Sequence, residues 1–161
     1  MTDQRPIAVI DIDGVLADVR HRLHHVHDRP KDWVAFFAAA PDDPPLDKGL
    51  ETARRLAEVC DVVYLSGRPE HCRQDTLDWF EKYDVPPGEL ILRRRGDYRP
   101  ARVTKVETLD RLSERATVSV FVDDDPLVCE AARAAGYDVL PADWMPEQPT
   151  LLEAQEVEGR T

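Results

Sequence analysis

Cysteine is scarce in this 161-residue chain, with only Cys60, Cys72 and Cys129 present. Three scattered thiols make no disulfide framework and predict reduced side chains in a cytoplasmic setting. Apolar residues never run long enough for a membrane-spanning helix, and the polar start Met1–Arg5 does not read as a signal peptide. Positive charge is also in short supply. The chain has 21 Lys and Arg against 32 Asp and Glu, a formal net charge of −11. Such a surface repels a long phosphodiester backbone, which argues against extended non-specific nucleic-acid binding. A phosphorylated substrate stays compatible wherever cations are gathered locally. At this length a single domain with a real core is expected, burying about 70% of its unfolded surface.

What the chain does have begins at Ile7. The branched apolar run Ile7-Ala8-Val9-Ile10 predicts a buried parallel strand, and it ends abruptly in Asp11-Ile12-Asp13-Gly14. Residues two apart on an extended chain point the same way, so Asp11 and Asp13 can face one small volume. Two carboxylates at a strand's carboxyl end can bind a hard cation, attack an electrophile or exchange protons. A plain Asp-Gly turn is the structural alternative.

The pattern of an apolar strand ending in polar residues recurs. Val62–Leu65 ends in Ser66-Gly67-Arg68-Pro69, where a hydroxyl, a glycine and an arginine make a small anion cradle. Leu90–Leu92 leads into Arg93–Lys105, which holds six cations and one carboxylate. Val118–Val122 ends in Asp123-Asp124-Asp125, a triplet too costly to bury without a cation or donors. Tyr137–Leu140 predicts a fifth strand. Helical patterns fill the gaps: Lys31–Ala40, Leu46–Ala57, Glu70–Tyr83 with Leu77, Phe80 and Trp79 as candidates for burial, Val106–Leu112 and Leu127–Ala135. Trp33 and Phe37 read as core packing, with base stacking as the alternative. His21, His24, His25 and His27 lack a matched second cluster or nearby cysteines, so they read as a polar loop rather than a zinc site. Cys72 reads as a small buried hydrophobe. Residues 145–161 read as a frayed or docked C-terminal tail with no visible chemistry.

Asp-Ile-Asp-Gly-Val-Leu-Ala-Asp resembles the first motif of the haloacid dehalogenase superfamily of phosphotransferases. Ser-Gly-Arg resembles the second motif as polynucleotide kinase-phosphatases write it, Lys105 the third, and Asp123-Asp124 the fourth. The resemblance runs from about Ile7 to Trp144, and Gly96-Asp97-Tyr98-Arg99 adds to it. It implies an α/β fold: a three-layer Rossmann-like sandwich with a central parallel sheet of about five strands. The domain would span residues 1–144, with a minimal cap inserted around 28–45.

The same resemblance implies a magnesium-dependent phosphomonoesterase. Asp11 would be the nucleophile, forming an aspartyl-phosphate, and Asp13 the acid and base. Ser66, the Gly67 amide and Lys105 would hold the phosphoryl oxygens. Asp11, the Asp13 carbonyl and Asp124 would bind Mg2+, with Asp123 supporting them. Arg22, Arg68 and the basic run, including Arg99 and Arg102, would contact substrate. That substrate would be a phosphorylated DNA or RNA 3′ end. The alternatives are a 5′(3′)-deoxyribonucleotidase, another small-metabolite phosphatase, or a non-catalytic phosphate-binding module. No Gly-x-x-x-x-Gly-Lys-Ser/Thr loop occurs, so kinase activity is expected only from a separate kinase or ligase partner.

Overall fold

The computed structural model describes residues 4–161; Met1–Asp3, part of the polar N-terminal stretch, lie outside the described residues. Five strands form the sheet: β1 (Ile7–Ile10), β2 (Asp61–Pro69), β3 (Gly88–Arg93), β4 (Val118–Asp123) and β5 (Val139–Pro141). They pair in parallel in the order β3-β2-β1-β4-β5. All four residues of β1 are buried, which is why this strand carries no alternation. Its neighbours alternate at period two. Val62 and Tyr64 join one core cluster, whereas Val63 and Leu65 join the other.

Helices cover both faces, as parallel strands require. One cluster takes in Leu50 and Ala53 of α3 (Asp47–Val59) and Trp79 and Phe80 of α4 (Arg73–Lys82). The opposite cluster takes in Leu109 and Leu112 of α5 (Ala101–Ser113) and Val128 and Ala132 of α6 (Pro126–Ala134). The insert after β1 holds only two short helices, α1 (His24–His27) and α2 (Trp33–Ala38). Asp32 caps α2, its side chain accepting from the Ala35 amide at 2.9 Å. Val26, Phe36 and Phe37 of this insert pack with Leu151 of α7 (Pro149–Glu156) in a third cluster. Among the described residues no helix is long and apolar enough to cross a membrane.

One helical detail differs from expectation. The predicted helix from Glu70 opens as a 3-10 turn, Glu70–Cys72, before α4 begins. The tighter turn shifts the helix phase, so Trp79 is buried and Leu77 is 39% exposed. Residues 145–161 take the docked of the two expected arrangements. Leu151 and Ala154 of α7 are buried against the domain.

Register then positions the site. Ile10 pairs with Tyr64 and with Val122, so Asp11 comes level with Leu65 and Asp123, and Ser66 lies one step beyond. All three chain segments leave the sheet on its carboxyl side, beside the point where connections diverge to either side of β1.

Candidate active site

At this edge Asp11 follows β1 and is buried, its Oδ1 accepting from the Ile12 amide at 2.8 Å. Lys105 reaches it from α5. The ammonium lies 3.2 Å from Asp11 Oδ1 and 2.6 Å from Asp123 Oδ2, bridging the ends of β1 and β4. Asp123 Oδ1 accepts from the Asp125 amide at 2.9 Å, and the Asp125 side chain caps α6 through the Leu127 amide. Gly14 makes the approach of the two loops possible. Its φ is +80°, and an added Cβ would collide with the Asp124 carboxylate.

Oxygens of Asp11, Asp123 and Asp124 lie within 4.8 Å of one another. Asp11 Oδ2 and Asp124 Oδ1 are buried with no hydrogen-bond partner. Three clustered carboxylates, two of them keeping a buried acceptor without a donor, have the chemistry of a hard-cation site, and the residues fit a divalent ion. Burial pushes Asp11 up to about 8, Lys105 opposing the rise while Asp123 and Asp13 add to it. Burial, with Asp11 and Asp123 beside it, also carries Asp124 well above the carboxylate range. Burial alone would lower Lys105, but Asp11 and Asp123 overcome this and raise it.

Asp13 points elsewhere. Its Oδ1 accepts from Arg68 Nε at 2.9 Å, Arg68 Nη2 at 2.6 Å and Arg22 Nη2 at 3.2 Å. Burial would raise this carboxyl, yet the two guanidiniums outweigh it and hold Asp13 at about 2. Asp11 was expected to be the ionised carboxylate and Asp13 the proton carrier. Among the protein's own groups Asp13 is the better stabilised carboxylate, because Arg22 and Arg68 both lie on it, and a cation held by Asp11 would favour the ionised form of that carboxyl in turn.

Arg22 sits in a 3-10 turn and is fully buried. It forks onto Asp43 through Nε at 2.8 Å and Nη2 at 3.0 Å, and its guanidinium lies 4.3 Å from the Phe36 ring centroid. Arg68 also reaches Asp43, Nη2 to Oδ2 at 3.0 Å, and Thr76 Oγ1 at 3.2 Å. Both arginines, expected on a substrate phosphate, thus spend their donors on Asp13 and Asp43. Sequence reasoning missed Asp43. It lies in a proline-flanked turn and looks no different from Asp42; only distant contacts mark it.

Ser66 Oγ accepts from the Arg68 amide at 3.1 Å, shaping the cradle. The Gly67 carbonyl accepts from Arg93 Nε at 3.2 Å. The basic run divides by role. Arg93 also donates to the Arg99 carbonyl at 2.9 Å and braces the loop. The Arg99 side chain is exposed and pairs with Asp97 at 2.9 Å and Glu107 at 2.8 Å, so it is not brought to the carboxylates. Arg102 pairs with Glu156 of α7 at 2.6 Å. The histidines do not converge. His21 Nε2 lies 2.6 Å from Asp43 Oδ1, His27 Nδ1 lies 2.8 Å from Thr150 Oγ1, and His24 stacks near His25. The three cysteines are free and buried, and burial pushes Cys72 up to about 11, as befits a packing residue.

A parallel sheet in this strand order, with an aspartate pair, a serine-glycine cradle, a lysine and an acidic triplet at its carboxyl edge, defines a haloacid dehalogenase-type hydrolase of the phosphatase kind. The family model described as the polynucleotide kinase PNKP phosphatase domain matches residues 5–143, and the chain belongs to that family. No curated protein matches the sequence. Among solved structures, a chain of the Pnkp1/Rnl/Hen1 RNA repair complex is 21% identical with a TM-score of 0.72, covering 88% of this chain and 43% of its own length. The class C acid phosphatase from Bacillus anthracis is 15% identical with a TM-score of 0.65, covering 89% of this chain and 69% of its own. A haloacid dehalogenase-like hydrolase from Streptococcus pneumoniae is 14% identical with a TM-score of 0.60, covering 97% and 93%. These likenesses establish the fold. The chain spans less than half the length of the Pnkp1/Rnl/Hen1 chain it matches.

Proposed function

We propose that this chain is a magnesium-dependent phosphomonoesterase that removes the 3′-phosphate from a nucleic-acid end through an aspartyl-phosphate on Asp11. The observation that carries the chemistry is a cluster of Asp11, Asp123 and Asp124 with oxygens within 4.8 Å of one another, in which Asp11 and Asp124 each keep one buried oxygen without a partner, while Lys105 pairs with Asp11 Oδ1. The family match supports the substrate class. Asp11 and Asp124, with the Asp13 carbonyl, would hold Mg2+, which when bound neutralises phosphate charge and favours the ionised carboxylates. Asp123 and Lys105 hold each other and fix the ammonium against the incoming phosphoryl oxygens.

The chain's own groups then divide the work. Asp11 attacks phosphorus in line, forming the Asp11 Oδ–phosphorus bond as the ester oxygen leaves. Ser66 and the Gly67 amide hold equatorial oxygens. The phosphate dianion competes with Asp13 for the Arg68 guanidinium. Loosening that pairing raises the Asp13 carboxyl, which takes up a proton from water and gives it to the leaving oxygen. Asp13 then takes a proton from the water that hydrolyses the acyl phosphate. A separate kinase or ligase partner would supply any end-joining chemistry.

A substrate panel with MgCl2 tests the reading, comparing 3′-phosphorylated DNA and RNA oligomers, mononucleotides and sugar phosphates. The highest kcat/KM is expected on the oligomers, lost with EDTA. Preference for mononucleotides would make the chain a nucleotidase, and no phosphate release from any of them would end the phosphatase reading.

A further inference from the structure

The stretch after α7 returns to the active site. Thr161 Oγ1 donates to Asp13 Oδ2 at 2.9 Å, and the Thr161 backbone lies so close to Gly67 that any Cβ there would collide with it. Thr161 therefore stands between the Ser66-Gly67 cradle and Asp13, in the space a phosphoryl group has to enter. Upstream, Glu158 pairs with Lys31, and Glu156 with Arg102. The Arg160 guanidinium lies 5.4 Å from the Trp33 ring centroid and 4.7 Å from that of Tyr98. Gly159, at φ +58°, passes so tightly over the Tyr98 carbonyl that an added Cβ would strike it.

Each of these contacts has the chemistry of one part of a nucleic-acid end. Carboxylates sit on cations where phosphodiesters would bind. A flat guanidinium lies against two aromatic rings on which a base would stack. A small hydroxylated residue fills the phosphate cradle. We propose that residues 156–161 lie along the path of the substrate strand, and that Lys31, Trp33, Tyr98 and Arg102 bind the nucleotides preceding the phosphorylated end. The inference rests on the phosphatase reading above.

The charges near the site agree. Arg22 and Arg68 are committed to Asp13 and Asp43, and Arg99 to Asp97 and Glu107. Lys31 is held by Glu158 of this segment and, at 3.6 Å, by Glu153 of α7, and Arg102 by Glu156, so undocking the segment frees Arg102 and leaves Lys31 with one long contact beside the cleft of an acidic protein. The docked tail is also imperfectly satisfied, since Gln155 Oε1 and Glu156 Oε1 are buried without hydrogen-bond partners.

Binding of a fluorescein-labelled, 3′-phosphorylated oligothymidylate to the Asp11→Asn protein, read by fluorescence anisotropy, tests this without turnover. Gly159→Ala in the intact chain, and separately deletion of residues 156–161, are each expected to tighten binding about 10-fold, as for a competent state populated about a tenth of the time. In the tail-free protein, Lys31→Ala or Arg102→Ala is expected to weaken binding and to flatten its salt dependence by about 0.7 in the log–log slope. Unchanged or weaker binding after both tail changes overturns the proposal, as do Lys31→Ala and Arg102→Ala proteins that bind like their tail-free parent. Hydrolysis of p-nitrophenyl phosphate, with Asp11 restored, separates the two readings. Turnover with unaltered oligonucleotide affinity sinks the tail proposal alone, whereas absence of turnover in every protein sinks the phosphatase reading and this one with it.

Discussion

Gly14 and Asp43 decide more at this site than their small size suggests. Gly14 has no Cβ to keep the loop after β1 away from Asp124, and its left-handed φ is one that other residues adopt at a cost of about 1–3 kcal/mol. Gly14→Ala is expected to lower kcat on p-nitrophenyl phosphate by about 100-fold or more, as for loss of a preorganised charge contact. The far-ultraviolet circular dichroism should stay native. Asp43 receives both buried arginines, so Asp43→Ala strands two guanidiniums and is expected to cost about 3–5 kcal/mol in urea unfolding. Arg99→Ala, on an exposed ion pair, should leave stability and p-nitrophenyl phosphate turnover unchanged. Asp11, Asp13, Ser66, Lys105 and Asp124 were legible in the sequence because each lies just after an apolar strand or opens a helical pattern. Asp43 was not. It is made special by contacts 21 and 25 residues away in sequence, to Arg22 and Arg68.

At the scale of elements, the strand ends do the positioning. One register, Ile10 with Tyr64 and Val122, brings Asp11, Ser66 and Asp123 together. The order of strands and helices could be read from alternating apolar runs, because a buried parallel strand and an amphipathic helix leave different periods. The phase of α4 could not. The 3-10 turn before it displaces the apolar stripe, so Trp79 and Phe80 face the core and Leu77, expected there with them, faces outward. The docking of residues 145–161 was one of two alternatives in the sequence, but the helix α7 and its partners were not legible there. The segment's apolar residues are few, and Leu151 finds its partners in the insert after β1 rather than in a neighbouring strand. Leu151→Ala should therefore cost about 2–5 kcal/mol by urea unfolding. A variant indistinguishable from wild type would mean that α7 does not pack as described.

For the whole molecule, charge is the controlling quantity. A chain of net charge −11 buries Arg22, Arg68 and Lys105 against carboxylates at the sheet edge, and the acidic cluster there still has buried oxygens without donors. Millimolar MgCl2 is expected to raise the melting temperature, since an ion that binds only the folded state stabilises by mass action. Asp124→Asn should remove most of that increment. The central claim is that Asp11 itself receives the phosphoryl group. Acid-quenching the enzyme during turnover of a 3′-phosphorylated oligomer, then mapping peptides by mass spectrometry, tests it most directly. A phosphoryl adduct on the peptide carrying Asp11, absent from Asp11→Asn, is the predicted result; an adduct on another residue, or steady turnover by Asp11→Asn, would contradict it.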